Sequence, residues 1–373
     1  MNEPRLRIVA DENIPGLENW FGDLGEITRL PGRTMTRAQL AAADVLLVRS
    51  VTRVDAVLLQ DTPVRFVGSC TIGTDHLDIP WLEGQGIHWS AAPGCNANSV
   101  VEYVFCALAA LSEDWRGRRF GIVGCGNVGG LLHQRLRQLG IACQVYDPWL
   151  PDNPDAATLE TVLQQDIICL HAPLVKDGPH PSLHMLDAQA LGQIRPDAVL
   201  ISAGRGAVID NAALLRLLED QRPFTAVLDV WENEPDINLQ LLDRVDLGSP
   251  HIAGYSHDGK LAGTRMIREA LNAALQLNAA AAAGSADTSE QPKTISTTES
   301  GFAAVRDLLL QMYDPRADDR RLRAAATDSA PMAQSFDLLR KQYPKRLEFS
   351  HFHVQAPQLD AETLQQLAIL GLK

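Results

Sequence analysis

Arg119-Phe120-Gly121-Ile122-Val123 runs directly into Gly124-Cys125-Gly126-Asn127-Val128-Gly129, and the reading of that junction decides the fold. A short apolar run closed by Gly-x-Gly-x-x-Gly, with apolar residues following at Val128, Leu132, Leu136 and Leu139, reads as strand, tight turn and helix. Gly124 permits the turn, Gly126 lets a pyrophosphate approach the backbone, and Gly129 lets helix and strand pack closely. The free N–H groups that open the helix, around Asn127 and Val128, then hold the phosphate charge. Asp147 ends the next strand, 147 − 124 = 23 residues after Gly124. Its carboxylate would accept hydrogen bonds from the adenosine ribose hydroxyls and repel a 2′-phosphate, so NAD is expected over NADP.

Outward from this turn the same rhythm continues. Ile8–Ala10, Val45–Val48 and Val64–Val67 upstream, and Gln144–Tyr146, Ile167–Leu170, Val199–Ile201 and Ala226–Leu228 downstream, are short apolar runs separated by helical stretches. The apolar positions Val101, Val104, Phe105 and Leu108 predict a long helix from Asn98 to about Ser112. Strands alternating with helices make an α/β chain with doubly wound parallel sheets. At 373 residues, two or three domains are expected.

The composition fits a globular protein, with 46% apolar and 21% charged residues. A net charge of −13 opposes binding to nucleic acid or to an anionic membrane. No run of about 18 apolar residues occurs, and Met1–Arg7 is polar, so neither a transmembrane span nor a secretory signal is expected. The six cysteines, Cys70, Cys95, Cys106, Cys125, Cys143 and Cys169, form no Cys-x-x-Cys pair and match no zinc spacing. They read as reduced, buried thiols of a cytoplasmic protein with no metal site.

Past the Ala279–Ala283 run the chain turns rich in Ser, Thr, Glu and Gln up to Ser300, which reads as a linker. Beyond it Val305, Leu308, Leu309 and Met312 hold helical spacing. Leu347 and Phe349, then Phe352 and Val354, alternate with polar residues but shift phase by one, so a half-buried strand with a bulge near His351 is expected. A tail of this size is short of a core of its own and is expected to pack across a dimer interface.

Three residues downstream of the glycine turn carry the chemistry of a 2-hydroxy acid oxidation. Arg205 follows the strand Val199–Ile201, Glu234 lies in Asp229–Pro235, and His251 lies in Pro250–Tyr255 after Leu247–Pro250, a sixth strand and turn. An imidazole suits a proton that must move both ways near neutral pH. Glu234 bonded to His251 would fix its tautomer. Arg205 can grip a carboxylate in a fork while polarising the neighbouring C2 oxygen.

With these residues assembled, the chain resembles the D-isomer-specific 2-hydroxyacid dehydrogenases from about Leu6 to Ala280. The resemblance rests on the glycine turn, Ser202–Asp210, Asp229–Pro235 and Pro250–Gly254, together with Thr71-Ile72-Gly73-Thr74-Asp75-His76-Leu77-Asp78. It departs from many members at Ser202 and Gly204. It implies that Arg205, Glu234 and His251 are catalytic, and that the substrate domain is split around the NAD domain. The implied boundaries are 1–93 for the first part of the substrate domain, 94–255 for the NAD-binding domain and 256–284 for a helix returning to the first. A linker at 285–300 and a C-terminal dimerisation domain at 301–373 complete them.

Ala10–Pro15, Val48–Thr52, Pro93–Ala97, His251–Ser256 and the tail segments Tyr313–Arg316 and Leu338–Pro344 are similar to a subgroup whose substrate is phosphorylated and serves vitamin B6 biosynthesis. That similarity implies substrate contacts at Ser50, Thr71 and Tyr255, and cofactor contacts at Asp147, Ala172, Ala203, Gly204, Arg205, Asp229 and Gly254. Arg49, beside Ser50, is the first candidate for the phosphate, with Lys260 and a partner subunit's Lys345-Arg346 pair behind it. Rival readings are a dehydrogenase of 3-phosphoglycerate type and a non-catalytic NAD-sensing regulator on the same fold.

Overall fold

The computed structural model describes residues 5–220, 224–277 and 292–372. The chain divides into two compact units, Met1–Asn96 with Ser256–Gln291, and Ala97–Tyr255 with Pro292–Lys373. Of the linker expected at 285–300, residues 285–291 lie outside the described residues; the rest is not all linker, because Lys293–Ile295 forms a strand.

The first unit is a parallel sheet of β1 (Leu6–Asp11), β2 (Gly25–Leu30), β3 (Val45–Val48), β4 (Phe66–Ser69) and β5 (His88–Ser90), in the order β2-β1-β3-β4-β5. Every residue of β3 and β4 is buried; β3 is an unbroken apolar run, whereas β4 starts two residues later than the Val64–Val67 run suggests and ends on the buried Ser69. The helix His257–Leu275 belongs to this unit and covers β4. Gly68 allows the contact, because a Cβ there would stand 2.3 Å from Ile267 Cγ2.

The second unit is built on a parallel sheet of β6 (Phe120–Val123), β7 (Cys143–Tyr146), β8 (Ile167–Leu170), β9 (Val199–Ser202), β10 (Thr225–Leu228) and β11 (Leu247–Gly248). Its order is β11-β10-β9-β8-β6-β7, so the winding reverses at β6, the strand that feeds the glycine turn. Such a switch point is where open α/β sheets bind ligands. The helix Ala97–Ala110 is buried almost all round, because the C-terminal segment covers the side that the sheet does not.

That covering corrects the expectation that the tail's apolar stripes wait for a partner subunit. Val305, Leu308 and Leu309 of the helix Gly301–Met312 share one core with Val101, Phe105 and Leu108 of the same chain. Trp115 stacks edge-on between Phe105 and Phe302, with centroids 5.4 and 4.7 Å away. On the other side of the sheet, Leu322 and Phe336 join Leu241 and Leu242. Asp319 accepts from the Gly248 N–H at 2.8 Å, and Arg323 donates to the Leu242 and Val245 carbonyls.

The bulged strand near His351 is likewise replaced. A 3₁₀ turn at Phe349–His351 leads into β13 (Phe352–Val354), paired in parallel with β12 (Lys293–Ile295). Leu347, Phe349 and Phe352 are all buried. A continuous strand would point Leu347 and Phe349 to one face and Phe352 to the other. The turn brings all three inward. Among the described residues, no helix is long and apolar enough to cross a membrane.

Candidate active site

The glycine turn forms a cradle at the C-terminal ends of β6, β8 and β9. Gly124 has φ +86°, and a Cβ on it would lie 2.6 Å from the backbone of Ala172. A Cβ on Gly204 would lie 2.7 Å from the Ala172 carbonyl, so Gly124, Ala172 and Gly204 are close neighbours. This explains the departure at Gly204: the backbone leaves no room for a side chain. A Cβ on Gly129 would stand 2.0 Å from the Gly124 carbonyl, so close helix–strand packing requires the glycine. Over Gly126, by contrast, the space is open. Gly126 and Asn127 are exposed at the start of the helix Asn127–Gln138, and no side chain caps it. These residues fit a dinucleotide whose pyrophosphate sits against exposed backbone at a helix N-terminus.

Asp147 braces the cradle from the end of β7. Its Oδ2 accepts from the Cys125 N–H at 2.8 Å and its Oδ1 from the Trp149 N–H at 3.0 Å. Each oxygen retains acceptor capacity for a ribose hydroxyl. His171, just before Ala172, was not singled out from sequence. Both of its ring nitrogens are buried without a hydrogen-bond partner, and burial pushes its imidazole down to about 4. It is therefore neutral at physiological pH.

The catalytic candidates stand on three successive loops of the same sheet. Arg205 follows β9, half-buried, with Nη1 donating to the Gly204 carbonyl at 3.0 Å. Its loop is stitched to the one after β10: a Cβ on Gly206 would strike the Trp231 carbonyl, and Asn211 exchanges bonds with the Glu232 backbone and side chain. Glu234 Oε1 accepts from the Trp231 N–H at 2.7 Å, and Oε2 lies 2.7 Å from His251 Nδ1. Burial pushes the Glu234 carboxyl up, but the charge and hydrogen bond of His251, the Trp231 N–H and the charge of Arg340 outweigh it and hold it below the usual range. An ionised Glu234 makes Nδ1–H the donor and leaves Nε2 to accept a proton.

His251 sits in the left-handed region at φ +56°, and Asn233, beside Glu234, at φ +63°. Non-glycine residues hold that conformation only where their surroundings over-determine it. Asp229 does so here. It is buried, accepting from Ser249 Oγ at 2.6 Å, the Ile252 N–H at 2.8 Å and the Ala253 N–H at 3.0 Å, and its backbone carbonyl accepts from the His251 N–H at 2.8 Å. Burial pushes the Asp229 carboxyl up. Tyr103, at 2.9 Å from Ser249 Oγ, ties the network to the helix Ala97–Ala110.

The C-terminal segment completes this loop from outside. Arg346 is buried, and its guanidinium donates to the carbonyls of Ser99, Ile252 and Ala253, the last at 2.6 Å. It lies over the Tyr313 ring at 4.3 Å. Arg346 is therefore spent within its own chain, which corrects its place among the phosphate candidates of a partner subunit. Tyr255, half-buried after Gly254, meets Tyr343 edge-on at 5.9 Å and lies 5.4 Å beneath the Arg340 guanidinium. From sequence Arg346 is a candidate only on a partner subunit, and Arg340 lies unremarked within Leu338–Pro344; both stand about ninety residues beyond His251, so their contacts with its loop are not legible in sequence.

The remaining substrate candidates lie in the other unit. Ser50 is exposed just after β3. Thr71 Oγ1 is 2.9 Å from Ser69 Oγ, which is also 3.0 Å from His76 Nε2. Arg49 Nε stands 3.1 Å from the buried Asp11 carboxylate, an ion pair without hydrogen-bond geometry.

The family described as "D-isomer specific 2-hydroxyacid dehydrogenase, NAD binding domain" matches residues 104–253. A domain of unknown function, DUF3410, matches residues 291–371. The erythronate-4-phosphate dehydrogenase of Cellvibrio japonicus (strain Ueda107) is 51% identical, aligned over 99% of this chain and all of its own length. The chain belongs to the erythronate-4-phosphate dehydrogenase family. The enzyme of that name from Marinobacter nauticus is 46% identical over 99% of each chain. Two solved structures share the fold at lower identity. Aquifex aeolicus D-lactate dehydrogenase, complexed with NAD and lactic acid, has a TM-score of 0.61 at 20% identity, covering 72% of this chain and 95% of its own. NAD-bound 3-phosphoglycerate dehydrogenase from Entamoeba histolytica has a TM-score of 0.64 at 18% identity, covering 74% of this chain and 97% of its own.

Proposed function

We propose that this chain oxidises 4-phospho-D-erythronate at C2 to (R)-3-hydroxy-2-oxo-4-phosphooxybutanoate with NAD, a step of vitamin B6 biosynthesis. The observation that carries this reading is the 2.7 Å pair of His251 Nδ1 and Glu234 Oε2, set on the same sheet as the open glycine cradle. His251 Nε2 takes the C2 hydroxyl proton. Glu234 holds the ring in that tautomer and stabilises the imidazolium that forms. Arg205 grips the substrate carboxylate and polarises the C2 oxygen as it becomes a carbonyl. Gly124, Gly126, Asn127, Val128, Gly129, Asp147, Ala172, Ala203, Gly204, Asp229 and Gly254 are the cofactor-side residues; NAD, when bound, supplies the acceptor for the C2 hydride.

Ser50, Thr71 and Tyr255 are the proposed substrate contacts. Arg49, ion-paired with Asp11 through an Nε that makes no hydrogen bond, stays a phosphate candidate of the first unit. The chain works as a cytoplasmic homodimer in this reading. With the tail's inward faces already used in its own core, the dimer contact falls to outer faces such as those of Leu338 and Leu364, apolar and exposed on tail helices.

The test is a panel of 2-hydroxy acids offered with NAD, following the absorbance of the reduced nicotinamide, alongside light scattering. Turnover of 4-phosphoerythronate well above 3-phosphoglycerate, by a dimer, is expected. Preference for 3-phosphoglycerate, or NAD binding with no turnover of any acid, would transfer the protein to one of the rival readings.

A further inference from the structure

A four-carbon hydroxy acid with a terminal phosphate brings an anion at each end, and Arg205 serves only the carboxylate. A dianion that leaves water needs a cation or N–H donors at the other end. The arginines of the C-terminal segment sort by their partners. Arg316 pairs with Asp314, Arg321 with Asp318 and Arg323 with Asp319. Arg346 is spent on three carbonyls.

Arg340 differs from all of these. It lies at the C-terminal end of the helix Met332–Lys341, which the fully buried Phe336 anchors in the core one turn earlier. Its guanidinium stands 5.4 Å over the ring of Tyr255, the residue that follows the loop His251–Gly254. Its Nε is buried and has no acceptor. The Glu234 carboxyl feels its charge, which places Arg340 within electrostatic reach of the pair that moves the proton. Burial opposes the charge of Arg340, but the Tyr255 hydroxyl and the carboxylates of Glu234 and Asp229 favour it, and the balance is upward. The group is therefore a charged, partly desolvated guanidinium with a donor left over, held beside the reacting loop. An anionic oxygen satisfies such a donor with a charge-assisted bond.

We propose that Arg340 binds the phosphate of the substrate, so that the C-terminal segment supplies part of the active site as well as part of the core. The proposal rests on the reading that the substrate is a phosphorylated 2-hydroxy acid. An Arg at this point also accounts for selectivity, because an analogue lacking the phosphate leaves the buried donor unpaired.

The experiment compares wild type, Arg340→Gln and Arg340→Lys, each first checked for an unchanged melting temperature and unchanged NAD affinity. For each, kcat/KM is measured with 4-phosphoerythronate and with erythronate, and inorganic phosphate is titrated as a competitive inhibitor. In Arg340→Gln the ratio of the two kcat/KM values should fall by about 10²-fold, through KM, and inhibition by phosphate should weaken by a similar factor. Arg340→Lys should recover part of both. An equal fall with the two acids, with the acidic limb of the pH profile moved upward, would show that Arg340 acts through Glu234 and would overturn the proposal, as would an unchanged ratio. If wild type itself does not favour 4-phosphoerythronate over erythronate, the substrate reading fails separately. The phosphate titration against the acid that wild type does accept then decides on Arg340 alone.

Discussion

His251 Nδ1 lies 2.7 Å from Glu234 Oε2, and the same glutamate is fixed from its other oxygen by the Trp231 N–H at 2.7 Å. With both carboxylate oxygens anchored, the imidazole has one orientation and one tautomer available. His251→Asn should therefore lower kcat by roughly 10²–10⁴-fold while leaving NAD affinity intact, since the glycine cradle is untouched. Glu234→Gln should also lower kcat, and the part of the acid loss that belongs to the Glu234 carboxylate should disappear with it. The wild-type carboxyl is held below its usual range, so its stabilising pair persists above the unfolded value and is lost only as pH falls through the lower folded one. Rate–pH profiles of the two variants, with NAD titrations, check both statements; near-native turnover in His251→Asn would remove it from the chemistry.

Two glycines three residues apart in the turn, Gly126 and Gly129, should fail in different ways. Gly126→Ala adds a methyl into open space, whereas Gly129→Ala drives one to 2.0 Å from the Gly124 carbonyl. The first should raise the KM for NAD at least about tenfold with little change in melting temperature, because only the approaching pyrophosphate meets the methyl. The second should lower the melting temperature as well, the usual result of overpacking a site that cannot relax. Thermal melts beside NAD titrations separate the two.

A buried carboxyl should make stability fall with rising pH. Glu102 accepts from Asn98 Nδ2 and from the Phe349 N–H, both at 2.9 Å, facing Glu348 across Asn98, with Arg135 and Arg346 also nearby. Burial, and then the Glu348 charge, push its carboxyl up to about 8. Its folded value is above the unfolded one, so its contribution is complete below about pH 4.3 and is lost as pH rises toward 8. Glu102→Gln keeps the accepting oxygen without the charge. It should flatten the decline of melting temperature between pH 5 and 8 and gain at least about 1 kcal/mol at the alkaline end, roughly 2–4 °C. An unaltered slope would mean that the pair ionises without cost.

Because the tail is core to its own chain, its loss should be felt in the nucleotide unit. Phe349 is fully buried among Phe105-side residues of the shared core, and Phe349→Ala should cost about 3–5 kcal/mol. Removal of 292–373 should yield an insoluble or partly unfolded protein. A truncated chain that melts like wild type and binds NAD normally would contradict the shared core.

The sheets were legible in the sequence because buried parallel strands are short unbroken apolar runs, and β6 with its glycine turn carries a spacing that few other structures need. Arg205, Glu234 and His251 were legible for the same reason: each follows a strand that periodicity locates. What the sequence hid were relationships across long separations. The role of Asp229 in holding the His251 loop depends on a backbone folding back over it, with His251 at φ +56°. Arg340 and Arg346 reach the site from a segment whose apolar stripes are visible but whose covering surface is not. The same stripes suit a partner subunit or this chain's own helix Ala97–Ala110, and only the packing decides between them.

In the proposed reaction a hydride leaves C2 of 4-phosphoerythronate for the nicotinamide while His251 takes the hydroxyl proton. The decisive measurement uses 4-phosphoerythronate deuterated at C2, incubated with NAD and the whole protein. Each reduced nicotinamide should carry one deuterium, with an equal amount of 2-oxo acid formed and the hydride step slowed. Deuterium kept in the recovered acid, or released to solvent without reduced nicotinamide, would contradict this reaction.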